Sequence, residues 1–308
     1  MRGYLLRRVL GGIVTLVLVT IAVFFVFQVL GDPARLALPI NASEEQVQDY
    51  REATGLADPL GQRLLRYLGG VAHLDFGIST TRSAPALDIV LGALPASLWL
   101  ALVSFIIMIA VGVVIGTIAG LREGSLGDRA LSALSAILSA IPEFWAGLVL
   151  VLIFAIAIPL LPTSGYGGLD YVILPAIAMA IPPIGRFASI VRESVRSTNA
   201  EPFVLVARSK GLSRATLVIR HILRAALAPI LAIGGLELSR MAVGGVVAVE
   251  SIFAWPGIGR LYVEAMTRYD LSLVSATLFI ATVVVLVMNI AIDLAYARLD
   301  PRITLTAS

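Results

Sequence analysis

Residues 91–121 read LGALPASLWLALVSFIIMIAVGVVIGTIAGL, 31 consecutive positions without a charge. A membrane-spanning helix needs about 20 apolar residues, because each advances about 1.5 Å through roughly 30 Å of hydrocarbon. This stretch is long enough to cross, and it is not alone. Stretches 9–30 and 271–292 are equally free of charge, 130–161 carries only Glu143, 171–191 only Arg186, and 225–249 only Glu237 and Arg240. Six spans are therefore predicted. The 171–191 span is the weakest, since Pro175, Pro182 and Pro183 are expected to bend or interrupt it. The 130–161 stretch has room for an interfacial turn around Pro159 and Pro162. The first span follows Arg2, Arg7 and Arg8, as a secretory signal would. Its 22 uncharged residues exceed the usual signal core of about 7–15, so it reads as a retained anchor.

Composition agrees. Of 308 residues, 58% are hydrophobic and 14% charged, against about a quarter charged in soluble domains. Such a chain fits a lipid solvent rather than water. The absence of cysteine excludes disulfides and thiolate chemistry, and His73 and His221 show no metal-ligand spacing. No metal site is expected.

Orientation follows from the basic residues. With a cytoplasmic N-terminus, the inside segments hold 15 Lys and Arg and the outside segments 7, with Arg240 inside a span. Both termini are expected in the cytoplasm. Residues 31–90 then form an external segment. Ser43 with Gln46 makes a capping box, Gly55 ends a helix EEQVQDYREAT, and Asp58-Pro59 starts a second helix that runs to about Leu68, before Gly69-Gly70. This cap is either a stabilising insertion or a docking surface.

The densest basic segment is cytoplasmic, ARSKGLSRATLVIRHILRAALAPI at 207–230. Asn199 is a plausible cap, Pro202 fits a first helical turn, and a short helix FVLVARSK ends at Gly211. Phe203, Val206 and Ala207 share a face by i, i+3, i+4 spacing, with Lys210 following on that side. Ser213 can cap a further helix into the fifth span. An apolar face on a cytoplasmic loop fits a protein partner; the alternative is a positive-inside loop lying on lipid headgroups.

These residues resemble the coupling loop of ABC-importer permeases of the dipeptide and oligopeptide branch. That branch typically has Y-V-x-x-A-R-A-K-G; this chain has Phe203-Val204-Leu205-Val206-Ala207-Arg208-Ser209-Lys210-Gly211. Phe203 replaces the tyrosine and Ser209 an alanine. Leu223 fits the broader family's motif leucine, whereas His221 stands at a hydrophobic position and Arg224 where that family has proline. LGDPA (30–34), GLADPL (55–60), HLDFGIST (73–80), LPASLWLAL (94–102), GSLGDR (124–129), IPEFWAG (141–147), VESIFAWPGIGRL (249–261) and LDPRI (299–303) also have counterparts, in order.

The resemblance implies an all-α integral membrane protein of six transmembrane helices, with the type I ABC-importer permease fold and a small helical external insertion after the first helix. The expected organisation is 1–90 for the first helix and external segment, 91–297 for a five-helix core with a coupling loop at 192–224, and 298–308 for a cytoplasmic tail. It implies a bacterial inner-membrane permease that moves short peptides by alternating access. Its partners would be a second homologous permease, two ATPases and an extracytoplasmic substrate-binding protein. ATPase coupling would fall to Phe203, Val206, Ala207, Arg208, Lys210, Gly211 and Leu212. The sequence contains no G-x4-G-K-[ST] pattern, so this chain is not expected to hydrolyse ATP through a P-loop or to be an enzyme. ATP and Mg would be bound by the ATPases, and no cofactor by this chain. No nucleic acid partner is expected; membrane lipid is.

Glu237 and Arg240 lie deep in the fifth span, where ionisable groups are costly and face a cavity or each other. They read either as lining the substrate path, meeting a peptide's charged ends, or as a structural ion pair. Glu143 reads as a cytoplasmic-end residue facing the loop, the alternative being a role in the path. Trp255, Pro256, Gly257 and Gly259 form a rigid or re-entrant external turn. The glycines of GVVIGTIAG (112–120) suit close helix packing. Rival readings are a permease for nickel or another small solute of the same branch, and a stand-alone secondary transporter, which an internal repeat would favour but none is evident.

Overall fold

The structure is a computed structural model that describes residues 2–30, 34–35, 38 and 41–299. The tail at 298–308 and the LGDPA motif at 30–34 lie largely outside the described residues. Among the described residues the chain is helical, with one isolated bridge between Ile78 and Pro85. The helices are α1 (Arg2–Leu30), α2 (Glu44–Thr54), α3 (Leu60–Ala72), α4 (Ala86–Leu121), α5 (Leu126–Ala140), α6 (Glu143–Val151), α7 (Leu169–Asn199), α8 (Pro202–Ser209), α9 (Arg214–Thr216), α10 (Leu227–Arg240), α11 (Val246–Ile252), α12 (Ile258–Thr267) and α13 (Leu271–Leu299). Single π-helical stretches extend α6 (Leu152–Ala157), α9 (Leu217–Ile222) and α10 (Met241–Gly245). Among the described residues five helices are long and apolar enough to cross a membrane, and there are six spans if α5 and α6 form one.

The 130–161 stretch is not one helix. α5 and α6 meet at a 96° bend. Pro142 sits at the start of α6 and biases Ile141 out of the helical region, to φ −72 and ψ 124. The 171–191 stretch departs the other way. α7 runs unbroken through Pro175, Pro182 and Pro183 and continues to Asn199, so the connection to α8 starts eight residues later than expected. Its neighbours bury most of it, and packing outweighs the lost donors.

The chain divides into two compact units. The first combines Met1–Pro95 with Gly257–Leu286. Here α2 forms as the capping box specifies. The Ser43 hydroxyl accepts from the Gln46 backbone, the Gln46 side chain accepts from Ser43 N–H, and Gly55 closes the helix at φ 69. α3 passes through Gly69-Gly70 rather than ending there. Asp75 N–H donates to Gly70 O at 2.8 Å, and a Cβ on Gly70 would meet the Asp75 carbonyl at 2.8 Å. The glycine serves a close return of the chain, with Leu74 taking the left-handed turn at φ 60.

The second unit combines Ala96–Pro256 with Val287–Ser308. α7 is its centre. Gly112, Gly116 and Gly120 of α4 recur every fourth residue and lie against α7; a Cβ on Gly116 would come within 2.5 Å of Ala188 O, and one on Gly120 within 2.6 Å of Arg192 O. The expectation of close packing at this stripe therefore holds. On another side of α7, a Cβ on Gly185 would sit 2.2 Å from Ser135 O of α5.

Candidate functional site

Two features of the second unit carry chemistry. The first is the segment that follows α7. Pro202 opens α8 at a position whose N–H has no helical partner in any case. Glu201, not Asn199, is the cap residue. Asn199 instead accepts a hydrogen bond at 2.5 Å from the Arg208 guanidinium, which ties α8 to the end of α7. Val204 and Ala207 are buried, and α8 packs on the returning stretch Leu217–Ile222, whose Leu217 and Ile222 are buried too. Phe203, Leu205, Val206 and Leu212 stay exposed, at 43%, 67%, 53% and 38%. Ala207 thus leaves the expected outer face and joins the inner one. The outward apolar surface is Phe203 and Val206, joined by Leu205 and Leu212, with Lys210 exposed beside it.

The turn after α8 depends on conformation rather than space. Gly211 has φ 74, and a Cβ there would touch nothing. A side chain would be strained by the backbone alone. Ser213 then caps α9, accepting from Thr216 N–H at 3.3 Å, and the chain climbs into α10.

The second feature is a cluster of charges between helices. Glu237 of α10 is 2% exposed and receives a two-pronged contact from Arg186 of α7, Nε to Oε1 at 2.8 Å and Nη2 to Oε2 at 2.9 Å. Arg240 adds a bond to Oε1 at 3.3 Å. The i, i+3 pair is present, therefore, but Arg186 is the dominant partner. Arg240 keeps 57% of its side chain exposed and Arg186 38%.

Glu143 joins this cluster. Its Oε2 lies 3.1 Å from where a Cβ on Gly245 would be, and it interacts electrostatically with both Arg186 and Glu237. The bend at Pro142 turns α6 so that its first residue faces α7 and the π-helical stretch after α10. The four groups balance, two cations against two anions. A bulge in the helix directly after Arg240 is the kind of distortion that recurs at functional sites.

Two further ion-pair sites on α7 escaped the sequence. Arg192 binds Asp128 through two bonds of 2.6 and 2.9 Å, and Arg196 binds Glu123 and Glu193, each at 2.9 Å. The motif GSLGDR builds the first of these. The Ser125 hydroxyl caps α5 by accepting from Asp128 N–H, and Gly124 N–H donates to Asp128 Oδ2. A carboxylate three residues after a capping serine was the available signal. Its distant arginine left none.

The motif pieces LPASLW and VESIFAWPG also meet. Glu250 is fully buried and accepts from Ser97 Oγ at 2.5 Å; the Trp255 indole donates to Ala96 O at 2.9 Å and packs edge-on against Tyr166 at 4.8 Å. Ala254 takes φ 50 in the turn. Trp255 is 2% exposed, so it anchors the turn while Pro256, Gly257 and Gly259 carry the chain into α12.

Comparison with known proteins agrees in one direction. Residues 112–305 match the family described as "Binding-protein-dependent transport system inner membrane component", and residues 1–101 match its N-terminal companion. A "probable peptide ABC transporter permease protein" of Sinorhizobium fredii is 33% identical over 97% of this chain and 98% of its own. The oligopeptide transport system permease protein AppB of Bacillus subtilis is 32% identical over 98% and 99%, and the glutathione transport system permease protein GsiC of Escherichia coli K12 is 30% identical over the same shares. Among solved structures, an inward-facing MetNI methionine ABC transporter superposes with a TM-score of 0.59 at 14% identity, over 69% of this chain and 96% of that one. This likeness is one of fold.

Proposed function

The chain belongs to the binding-protein-dependent transport system inner membrane components, as a multi-pass permease subunit, and from that premise we propose that it forms one half of the pore of an ATP-driven importer of short peptides. The peptide assignment follows the names of its relatives. In this reading a second, homologous permease completes the pore in the bacterial cytoplasmic membrane. Two ATPases, which bind ATP and Mg, sit on the cytoplasmic side, and a binding protein delivers substrate from outside. The chain itself holds no cofactor. Both termini are cytoplasmic: the inside segments keep the excess of Lys and Arg even with Arg186 left out of their count.

The observation that carries the mechanism is the unbroken α7. At its cytoplasmic end it continues through the Asn199–Arg208 bond into α8, whose apolar face at Phe203, Val206 and Leu212 is left exposed among the described residues and suits a cleft on an ATPase. Thirteen residues before that end, Asn199, the same rod carries Arg186 into the charge cluster. A displacement of α8 is therefore delivered to Arg186 by a braced helix. Alternating access in this account is a rearrangement around that cluster. Glu237 is saturated by its two arginines and acts as the keystone; Arg240 and Glu143 keep capacity for a peptide's carboxylate and ammonium ends.

Affinity purification from the native membrane with mass spectrometry tests the assembly. The expected result is a second permease and P-loop ATPases, lost when Phe203 and Val206 become serine. Recovery of the chain alone, moving solute in liposomes without ATP, would replace this reading with a stand-alone transporter. Uptake of nickel rather than peptide by the intact complex would keep the machine and change its cargo.

A further inference from the structure

An open cleft of about 730 Å³ lies within the unit formed by Met1–Pro95 and Gly257–Leu286, apart from the charge cluster. Its apolar wall is Phe24 of α1, packed on Tyr67 of α3 at 5.6 Å. Phe24 falls near the end of the apolar span Leu6–Val26, and the opposite wall, Leu271 to Ser275, opens the span of α13. Both spans reach the water boundary here, so the mouth stands at the depth of lipid headgroups. The polar wall is α3 and the turn after it. Arg66 is held by Asp58 and by the Gly55 carbonyl, and the His73 ring bonds the Gly69 carbonyl at 2.8 Å. Arg63 and Asp75 remain. Both line the cleft, and among the described residues neither forms an ion pair, with the other or elsewhere; Asp75 Oδ1 accepts only from Gly77 N–H at 2.9 Å.

A cation and an anion that share one cleft without pairing fit a ligand whose own opposite charges are held apart. We propose that this cleft binds the phosphoethanolamine headgroup of a zwitterionic phospholipid, with its phosphate on Arg63 and its ammonium on Asp75. The guanidinium offers planar donors to phosphate oxygens. The carboxylate accepts N–H bonds, which an ethanolamine ammonium supplies and a choline does not. The acyl chains follow Phe24 down the exposed apolar side of α1, where Val17, Leu18, Phe25 and Val26 face outward. A short peptide has the same pair of charges, but no need of this apolar track at the ends of two spans. The site holds the segment between α1 and α4 against the membrane surface, independently of what is transported.

The test uses the assembled transporter in vesicles containing phosphatidylethanolamine and phosphatidylglycerol, with retained lipid counted by native mass spectrometry. Arg63→Gln and Asp75→Asn should each lower retained phosphatidylethanolamine about tenfold, the loss of one charge-assisted hydrogen bond, and leave phosphatidylglycerol unchanged. Gly69→Phe should do the same by filling the cleft from a position where a Cβ meets nothing, which keeps the test open if a charge variant fails to assemble. Equal retention in the wild type and in all assembled variants would overturn the proposal. So would release of the lipid by an added dipeptide, which would give the cleft to peptide.

Discussion

Asp270 and Glu237 are both buried carboxylates, but their surroundings differ. Asp270, just before α13 in the first unit, is fully buried and satisfied by neutral donors: Ser79 Oγ at 2.5 Å, Thr81 Oγ1 at 2.7 Å, Thr81 N–H at 3.0 Å and Leu273 N–H at 3.1 Å. Glu237, deep in a span, is held by two guanidiniums. Short hydroxyl and amide donors belong to one rigid turn and fix the 79–81 loop to the start of α13. Long arginine side chains come from a separate helix and from the next turn of the same one, so they can exchange partners as helices shift. The first arrangement suits a clasp, and the second suits a moving part.

The largest expected effect breaks the second arrangement. Arg186→Met leaves Glu237 with only Arg240 and should lower the stability of the purified complex by about 3–5 kcal/mol, measured by thermal or denaturant unfolding. Arg186→Met with Glu237→Met should recover most of that loss, since no charge is then stranded. A double variant as unstable as the single one would mean that the pair is not the source.

Asp270→Asn sharpens the contrast. It replaces a group that only accepts by one that must also donate, opposite Ser79 and Thr81, and should cost about 1–3 kcal/mol without altering substrate preference. Its pH dependence has a definite sign. Burial pushes the Asp270 carboxyl up, but the bonds from Ser79, Thr81 and Leu273 outweigh it and hold the group below the ordinary carboxylate range. A lowered acid contributes stability that is present above its unfolded pKa and lost as pH falls through the folded one. Hydrogen exchange of residues 79–83 should therefore stay slow through neutral and mildly acid pH and quicken only below the ordinary carboxylate range. In Asp270→Asn that acid step should vanish. The smallest stability effect belongs to Arg240→Gln, whose half-exposed side chain makes one long bond to Glu237; about 0.5 kcal/mol is expected, together with a clear loss of peptide uptake. Unchanged uptake in both Arg240→Gln and Glu237→Gln would reduce the cluster to a structural brace.

What the sequence revealed follows the range of the interaction. α2 was legible to the residue because Ser43, Gln46 and Gly55 act within one or two turns. Gly211 was legible because a left-handed residue is a local demand. The α4 glycines at every fourth position announced a helix seam before its partner was known. Prolines were misread in both directions. Pro142 broke a stretch expected to be one span, at a point where Ile141 had an extended alternative, whereas Pro175, Pro182 and Pro183 did not interrupt their helix, which is packed on several sides. Arg186, Arg192 and their carboxylate partners lie 51 and 64 positions apart. No periodicity encodes such a pairing, and a lone charge near a span's end counts equally well as a loop residue.

The central claim, that α8 transmits ATPase motion through α7 to the cluster, is tested most directly by peptide uptake into proteoliposomes containing the intact complex, with ATP hydrolysis followed in the same sample. Phe203→Ser with Val206→Ser alters exposed residues and should leave the fold's stability within about 0.5 kcal/mol. The account predicts that ATP-driven uptake falls to background while the chain stays folded in the membrane. Full uptake in that variant, or uptake that never needed ATP, would contradict it.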